Sequence, residues 1–407
     1  MRVLLLNQAF YPDVVSTAQH AADLAAGLAD AGHEVTVLAS RHAYDDPLRR
    51  FPARELWRGV TVLRAPCTAL GKRSLWRRAI DFASFLLSCI VHLAFLHRFD
   101  VVIAMTSPPL IAVLAALFVR SKGGALVSWI MDLNPDEAIA AGALRRDSLF
   151  ARGLSRLLRF SLAASAMVVV LDRFMRDRVV AKGVPAHRVA ILPPWSHSPA
   201  VHFDERGRDR FRDLHALMRK FVVMYSGNHS PCHPLDTVLH AARDLRTETD
   251  IAFAFIGGGS EFRKVVDFAA QNRLRNIACL PYQPLASLAD SLSAADLHLV
   301  VMGDAFAGIV HPCKIYNVLA VGSPSLYIGP RESHITELAT FRADHGDVAA
   351  VTEFIRRSAD SGVRRSASSA ALAEQFAAPS VVPQIIAIVE DAGRAAGEGA
   401  TVAAMVS

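Results

Sequence analysis

The chain has 407 residues, of which 52% are hydrophobic and 20% charged, and its net charge is +6. That length accommodates two domains, and the composition excludes a disordered chain, which would lack apolar surface to bury. The positive balance predicts an acidic partner: a phosphorylated substrate, an anionic membrane surface or nucleic acid. No basic and aromatic stripe on a recognisable reader fold accompanies it, so nucleic acid is set aside.

Residues 3–6 are a continuous apolar run, followed by a helix-period segment over 18–31 that Gly32-His33 stops. Apolar runs at 35–39, 60–63, 101–104, 126–130 and 167–171 then alternate with helical stretches. Continuous apolar strands separated by helices predict a parallel sheet covered on both faces. The beginning of the chain lacks the basic start, apolar stretch and cleavage site of a signal peptide, so a cytoplasmic location is expected. The longest apolar stretch, 79–99, is interrupted by Asp81, His92, His97 and Arg98 and is not expected to span a bilayer cleanly. Lys72-Arg73-Ser74-Leu75-Trp76-Arg77-Arg78 leads into it. This composition fits a helix lying on an anionic membrane face, and equally a buried helix with a solvated basic cap.

Pro193, Pro194 and Pro199 break the alternation, and a charged segment follows to about residue 220. The domains are therefore expected at 1–198 and 199–395, with a disordered small-residue tail at 396–407. A second series of strands is predicted at 221–225, 251–256, 277–280, 297–301 and 325–328. Two such sheets in tandem bind ligands at the carboxyl ends of their strands. The cysteines, Cys67, Cys89, Cys232, Cys279 and Cys313, are odd in number and scattered, which points to reduced thiols.

The segments suited to chemistry lie at those strand ends. Gly257-Gly258-Gly259-Ser260 follows a strand and precedes a helix, where glycines let backbone approach a phosphate. The same glycines also fit an ordinary tight crossover. Gly227, Asn228, His229 and His233 open the loop after the first strand of the second series, a place for a diphosphate to which the histidines could donate. A metal there would need a third ligand that is not evident, and no metal is expected.

The segment from Gly308, Ile309 and Val310 through Cys313 and Lys314 to Gly322 and Pro324 reads as a helix that Pro312 starts and Gly322 stops. A lysine in the first helical turn opposes the helix dipole, which suggests an anion beside Lys314. Asn317 is one turn further on. In the first half, Asp132-Leu133-Asn134-Pro135-Asp136-Glu137 follows the strand at 126–130. Asp136 and Glu137 suit a helix start, whereas Asp132 is a candidate for orienting or deprotonating a sugar hydroxyl. Tyr11, Ser16 and Ser107 lie in segments that end two further strands at the same edge.

Together these segments resemble the family-4 glycosyltransferases, in particular the WbuB/WcaI-like branch that works on polysaccharide precursors. The resemblance rests on 7–13 and 31–37, Asp100–Ile103 with 106–109, 132–136, 225–228 and 314–324, in that order. It implies an α/β chain of GT-B architecture, with two Rossmann-like domains whose parallel sheets face a central cleft. It also implies retaining transfer of a hexosyl or N-acetylhexosaminyl group from a nucleoside diphosphate sugar, without a bound metal. The second domain would hold the donor: the diphosphate on 226–233 and 257–259, phosphate or sugar near 308–314, the ribose at Asn317. The first would hold the acceptor, through Tyr11, Ser16, Ser107 and Asp136, with Asp132 and Lys314 as catalytic residues. The acceptor is expected to be a lipid-linked saccharide at the cytoplasmic face of the inner membrane, contacted peripherally through 72–99.

The chain departs from the family pattern in several places. Ile309 and Asn317 occupy the positions of two glutamates, Val14-Val15-Ser16 replaces a glycine pair, and Met131 replaces a histidine beside Asp132. The lysine usual after the first strand of the second domain is missing, and His229 or His233 would stand in for it. These departures keep two alternatives open: a catalytically impaired relative serving as an assembly partner, and a sugar-nucleotide epimerase of the same fold.

Overall fold

The structure is a computed structural model that describes residues 1–406 apart from 45, 47, 72–74, 197–200 and 362–364. It divides into two compact units, Met1–Pro194 with Pro379–Ser407, and Trp195–Ala378.

The first unit comprises β1 (Arg2–Leu6), α1 (Ser16–Asp30), β2 (Glu34–Ser40), β3 (Arg54–Trp57), β4 (Val60–Ala65), α2 (Leu75–Phe95), β5 (Val101–Ala104), α3 (Ile111–Lys122), β6 (Ala125–Trp129), α4 (Asp136–Ala140), α5 (Leu149–Ala164), β7 (Met167–Val170), α6 (Arg173–Ala181) and β8 (Val189–Ile191). Its sheet runs β3-β4-β2-β1-β5-β6-β7-β8. Only β3 is antiparallel to its neighbour. β5 and β6 are buried end to end, and β1, β2 and β7 at all but their first residue, because helices cover both faces. Local capping fixes the helix starts where it occurs: Ser148 accepts from Ala151 N at 3.1 Å, and Asp172 accepts from Met175 N at 2.8 Å.

The second unit comprises α7 (Glu205–Leu214), β9 (Phe221–Asn228), α8 (Asp236–Asp244), β10 (Ile251–Gly258), α9 (Phe262–Gln271), β11 (Ile277–Leu280), α10 (Leu288–Ser293), β12 (Leu297–Val301), α11 (Lys314–Ala320), β13 (Ser325–Ile328), α12 (Ile335–Leu338), β14 (Phe341–Ala343), α13 (Val348–Ser361) and α14 (Ala367–Gln375). Its sheet order is β11-β10-β9-β12-β13-β14, all parallel. In each sheet the strand order reverses once, between β1 and β5 and between β9 and β12. At such a switch point the two flanking loops part and leave room for a ligand.

Three expectations are corrected. A cut at 198/199 gives the last helix to the second domain, but α15 (Ala378–Val406) belongs with the first unit. Residues 198 and 199 themselves lie outside the described set. The helix returns because Val381, Ile385, Val389 and Ala392 form a buried stripe at helical spacing. A Cβ on Gly27 would lie 2.8 Å from Val382, so the glycine admits α15 close to α1. His33 and Glu390 meet at 3.1 Å. Second, the backbone of the tail expected to be disordered continues this helix to Val406.

Third, the segment 79–99 is neither wholly buried nor clearly amphipathic. Within α2, Trp76–Phe95 is long and apolar enough to cross a membrane by length and composition. Phe85, Cys89 and Leu93 are buried in the core of the first unit. The opposite face exposes Trp76, Ile80, Leu87, Ile90, Val91 and Phe95, with Leu87 at 65% and Phe95 at 84%. The basic lead at 72–74 lies outside the described residues. Asp81 does not face solvent alone, because it accepts from the backbone of Leu70 and Gly71 and from Thr68 Oγ1.

Ile385→Ala removes a fully buried side chain from the returning helix. It is expected to lower unfolding free energy by about 2–5 kcal/mol, measured by denaturant titration against the wild-type chain.

Candidate functional site

In the second unit the site is built on the end of β9. Tyr225 is fully buried, and its hydroxyl donates to Asn228 O at 2.9 Å, which fixes the ring. Lys314, the first residue of α11, lays its Nζ 3.4 Å from the centroid of that ring. The nitrogen is buried and has no hydrogen-bond acceptor among the described residues. Burial pulls the lysine pKa well below its ordinary value, opposed only weakly by Cys313. A cation on a tyrosine face keeps roughly 0.5–2 kcal/mol of attraction, less than the several kcal/mol that desolvation of an unpaired ammonium costs. An incoming anion would give this amine a partner and draw it towards its charged form.

Glycines make room for this lysine and for the turn beneath it. A Cβ on Gly227, whose φ is +133°, would contact Lys314 at 3.6 Å. Gly257 faces Gly227 across the ladder, and a Cβ there would lie 2.0 Å from Gly227 O. A Cβ on Gly259 would lie 2.2 Å from His229 O. The strand thus runs on to Gly258, two residues beyond its expected end, because these glycines let two backbones approach.

The histidines differ from expectation. His229 places Nδ1 3.0 Å from Gly227 O, and His233 places Nδ1 2.7 Å from Val301 O. A carbonyl only accepts, so Nδ1 carries the proton and Nε2 presents a lone pair. Burial first, and the Lys314 charge second, push His229 down to about 4 and His233 to about 3. As they stand the rings offer acceptors, and the donor to an anion is Lys314.

The remaining second-unit candidates are engaged elsewhere. Asn317 accepts from Ser196 Oγ at 2.9 Å. Ile309 and Val310 are buried, and both donate their N–H to Phe306 O. Gly308 has a φ of +69° in the turn before them. Cys313 Sγ donates to His311 O at 3.2 Å.

In the first unit the loops after β1 and β5 are joined by Gln8 N donating to Ser107 O at 2.7 Å. Tyr11 stacks on Trp57 at 4.7 Å and is 43% exposed, and Ser16 begins α1. The residue that holds this loop was not among those read from the sequence. Arg64 is buried in β4, donates to Tyr11 O and to Ser40 O, pairs with Glu55, and lies 4.6 Å from the Phe51 ring. Its signal was a single arginine inside an apolar strand run, which needs acceptors wherever it is buried.

Asp132 follows β6 and lines an apolar cavity of about 180 Å³ with Ile130, Leu133 and Leu158. Burial, then the Glu137 charge, pushes its pKa up to about 7, while Arg78 opposes the rise. Asp136 is turned away from this group into an ion pair with Lys182 at 2.8 Å. The structure therefore gathers Lys314, Gly227, Asn228, His229, His233 and the glycine turn at one switch point. It places Tyr11 and Ser107 at the other, with Asp132 beyond the adjacent strand.

This is the arrangement of a two-domain α/β protein of the GT-B class. Residues 17–195 match the family model described as a glycosyl transferase 4-like domain. The chain is 26% identical over 350 residues to WcaI of Escherichia coli K12, a glycosyl transferase named for colanic acid biosynthesis, covering 83% of this chain and 86% of that one. It is 26% identical over 242 residues to the glycosyltransferase WbjE of Pseudomonas aeruginosa, 60% of each chain. The solved structure of Anabaena HepE with UDP and glucose matches its fold with a TM-score of 0.72 at 14% identity, covering 96% of this chain and 100% of that one. The match over 17–195 and these relatives support a family-4 glycosyltransferase, and the fold is GT-B.

The two sites titrate with opposite sign. His229 and His233, held by burial near 4 and 3, are neutral in the folded chain. Their contribution is fully present above pH 6.5 and is lost as pH falls towards 4. Asp132, raised to about 7, favours the folded chain below pH 4 and loses that contribution as pH rises through 7. Asp132→Asn is expected to gain roughly 2–4 kcal/mol on wild type between pH 4 and pH 8, read from denaturant midpoints across that range.

Proposed function

We propose that the chain transfers a sugar from a nucleoside diphosphate sugar to a lipid-linked saccharide in cell-surface polysaccharide biosynthesis. The observation that carries the donor half is the buried Lys314 amine, which has no hydrogen-bond acceptor among the described residues. In this reading the bond from the anomeric carbon to the diphosphate breaks while the acceptor hydroxyl bonds to the same carbon. Negative charge grows on the departing diphosphate, and a preorganised cation in a dry site stabilises that charge most. UDP and glucose bound to HepE support a nucleotide-sugar donor, and the name of WcaI supports the polysaccharide setting.

Asp132 orients the acceptor hydroxyl and takes its proton, which suits a carboxyl titrating near neutrality. Hexosyl or N-acetylhexosaminyl transfer with retention and without a bound metal completes the reading. The positions of the paired glutamates, Ile309 and Asn317, carry no charge, so neither offers a carboxylate to a donor hydroxyl. The impaired-partner and epimerase alternatives are not favoured by the matched relatives, which are named as transferases.

The apolar outer face of α2, flanked by Arg77, Arg78 and Arg98, supports peripheral attachment to an anionic membrane surface, and with it a cytoplasmic place at the inner membrane.

Calorimetric titration with UDP, GDP, ADP and CMP, without metal, is expected to show selective binding of one nucleotide. Lys314→Ala should weaken it about tenfold to a hundredfold. Absence of binding by all four, from folded protein, would remove the donor site and favour the impaired partner. Separately, Leu87→Asp combined with Ile90→Asp should lower cosedimentation with phosphatidylglycerol-containing vesicles about tenfold or more. Unchanged cosedimentation would assign membrane contact to another surface.

A further inference from the structure

We propose that a small cleft at the ends of β1, β2 and β4 seats one sugar ring of the acceptor, remote from the reacting ring, so that the acceptor is an oligosaccharide. This rests on the saccharide-acceptor reading above, with Asp132 at the reacting hydroxyl.

The cleft lies within the first unit, and its walls include Gln8, Ser40, Tyr44, Arg78, Asp81 and Phe82. Its volume is about 50 Å³, room for a few water-sized groups. It therefore takes the hydroxyl edge of one ring and leaves the rest of the ring outside. Two of its polar groups are already satisfied. Asp81 accepts at both oxygens, from Thr68 Oγ1 at 2.7 Å, Leu70 N at 2.9 Å and Gly71 N at 3.2 Å. Ser40 Oγ donates to His42 O at 2.9 Å and accepts from His42 N at 3.0 Å.

Gln8 is different. Its backbone is pinned on both sides, donating to Ser107 O at 2.7 Å and accepting from Ser40 N at 2.8 Å. The residue is only 8% exposed, and its Oε1 is buried with no hydrogen-bond donor among the described residues. A buried polar atom left unpaired lowers stability and calls for a partner brought from outside the chain. Arg78, whose guanidinium lies 5.2 Å from the centroid of the Phe82 ring, brings N–H donors to the same cleft and no acceptor.

The occupant must donate to Gln8 Oε1 and accept from Arg78 within one small space, beside the rings of Tyr44 and Phe82. Neighbouring hydroxyls of a sugar do this, since each both donates and accepts. An anion without a hydroxyl would satisfy Arg78 but offer Gln8 no proton, and it would face Asp81. The cleft centres on the end of β2, which is three steps along the sheet from β6, the strand that leads into Asp132. At the usual strand spacing this is on the order of 14 Å, more than one sugar ring spans. The ring in the cleft is therefore separate from the ring whose hydroxyl meets Asp132.

Ligand-observed NMR on the full chain with the methyl glycosides of glucose, galactose, fucose and N-acetylglucosamine tests this. At least one should bind the wild type, and Gln8→Met, which removes the acceptor atom at similar volume, should weaken it about tenfold or more. Arg78→Gln should weaken the same glycoside, and Asp132→Asn should leave it bound. Gln8→Met should also raise the denaturant midpoint by removing an unpaired buried group, whereas a glutamine with a purely structural role would lower it. An unchanged circular dichroism spectrum shows that each variant is folded. No binding of any of these glycosides by the wild type, binding unchanged in Gln8→Met, or binding lost in Asp132→Asn but kept in Gln8→Met would overturn the proposal. Transfer of labelled sugar into a cell lipid extract, from the nucleotide sugars of whichever nucleotide binds, separates this proposal from the reading it rests on. Undiminished transfer by Gln8→Met would remove the subsite and leave the saccharide acceptor standing. No labelled saccharide from the wild type would remove the acceptor reading itself.

Discussion

A buried lysine amine without an acceptor among the described residues is the constraint around which the second unit is arranged. Lys314 Nζ rests on the face of Tyr225, and Tyr225 is held by its own hydroxyl on Asn228 O. Gly227 has a φ of +133° that favours glycine, and Gly257 must be a glycine for β10 to lie against Gly227. The histidines are kept neutral first by burial and second by Lys314. An anion placed beside Lys314 would offset the desolvation that disfavours its charged form.

The first unit solves a different problem with the opposite sign. Its carboxyl, Asp132, is pushed towards the neutral form by an apolar cavity and a second carboxylate, while Arg78 limits the rise. A group poised near neutrality can both orient a hydroxyl and accept its proton. Nearby, Arg64 is fully paired, with Glu55, two carbonyls and an aromatic face, and so serves to hold the Tyr11 loop and has no charge left for a ligand. Two buried cations, Arg64 and Lys314, thus have opposite roles, and the presence or absence of acceptors distinguishes them.

Much was legible in the linear chain because strands buried on both faces must be apolar throughout. Those runs, with Gly32 and Gly322 as stops, located most strands and the end of α11, whereas that helix begins at Lys314 and not at Pro312. The reading missed β3, β8 and β14, which are short edge or near-edge strands with little apolar signal. It also missed the return of α15, because a buried stripe reveals that a helix packs and not what it packs on.

The sequence by itself determined the α/β class, the two sheets, and the placing of Lys314 and Asp132 at strand or helix ends, since these follow from periodicity and local stop signals. Only the tertiary structure decided which charges are satisfied. Asp136 and Asn317 look as available as Asp132 and Lys314 in the chain, but Lys182 and Ser196, distant in sequence, engage them. Hydrogen-bond partners and desolvation depend on atoms brought together by folding, and these decide whether a polar group is structural or free to act.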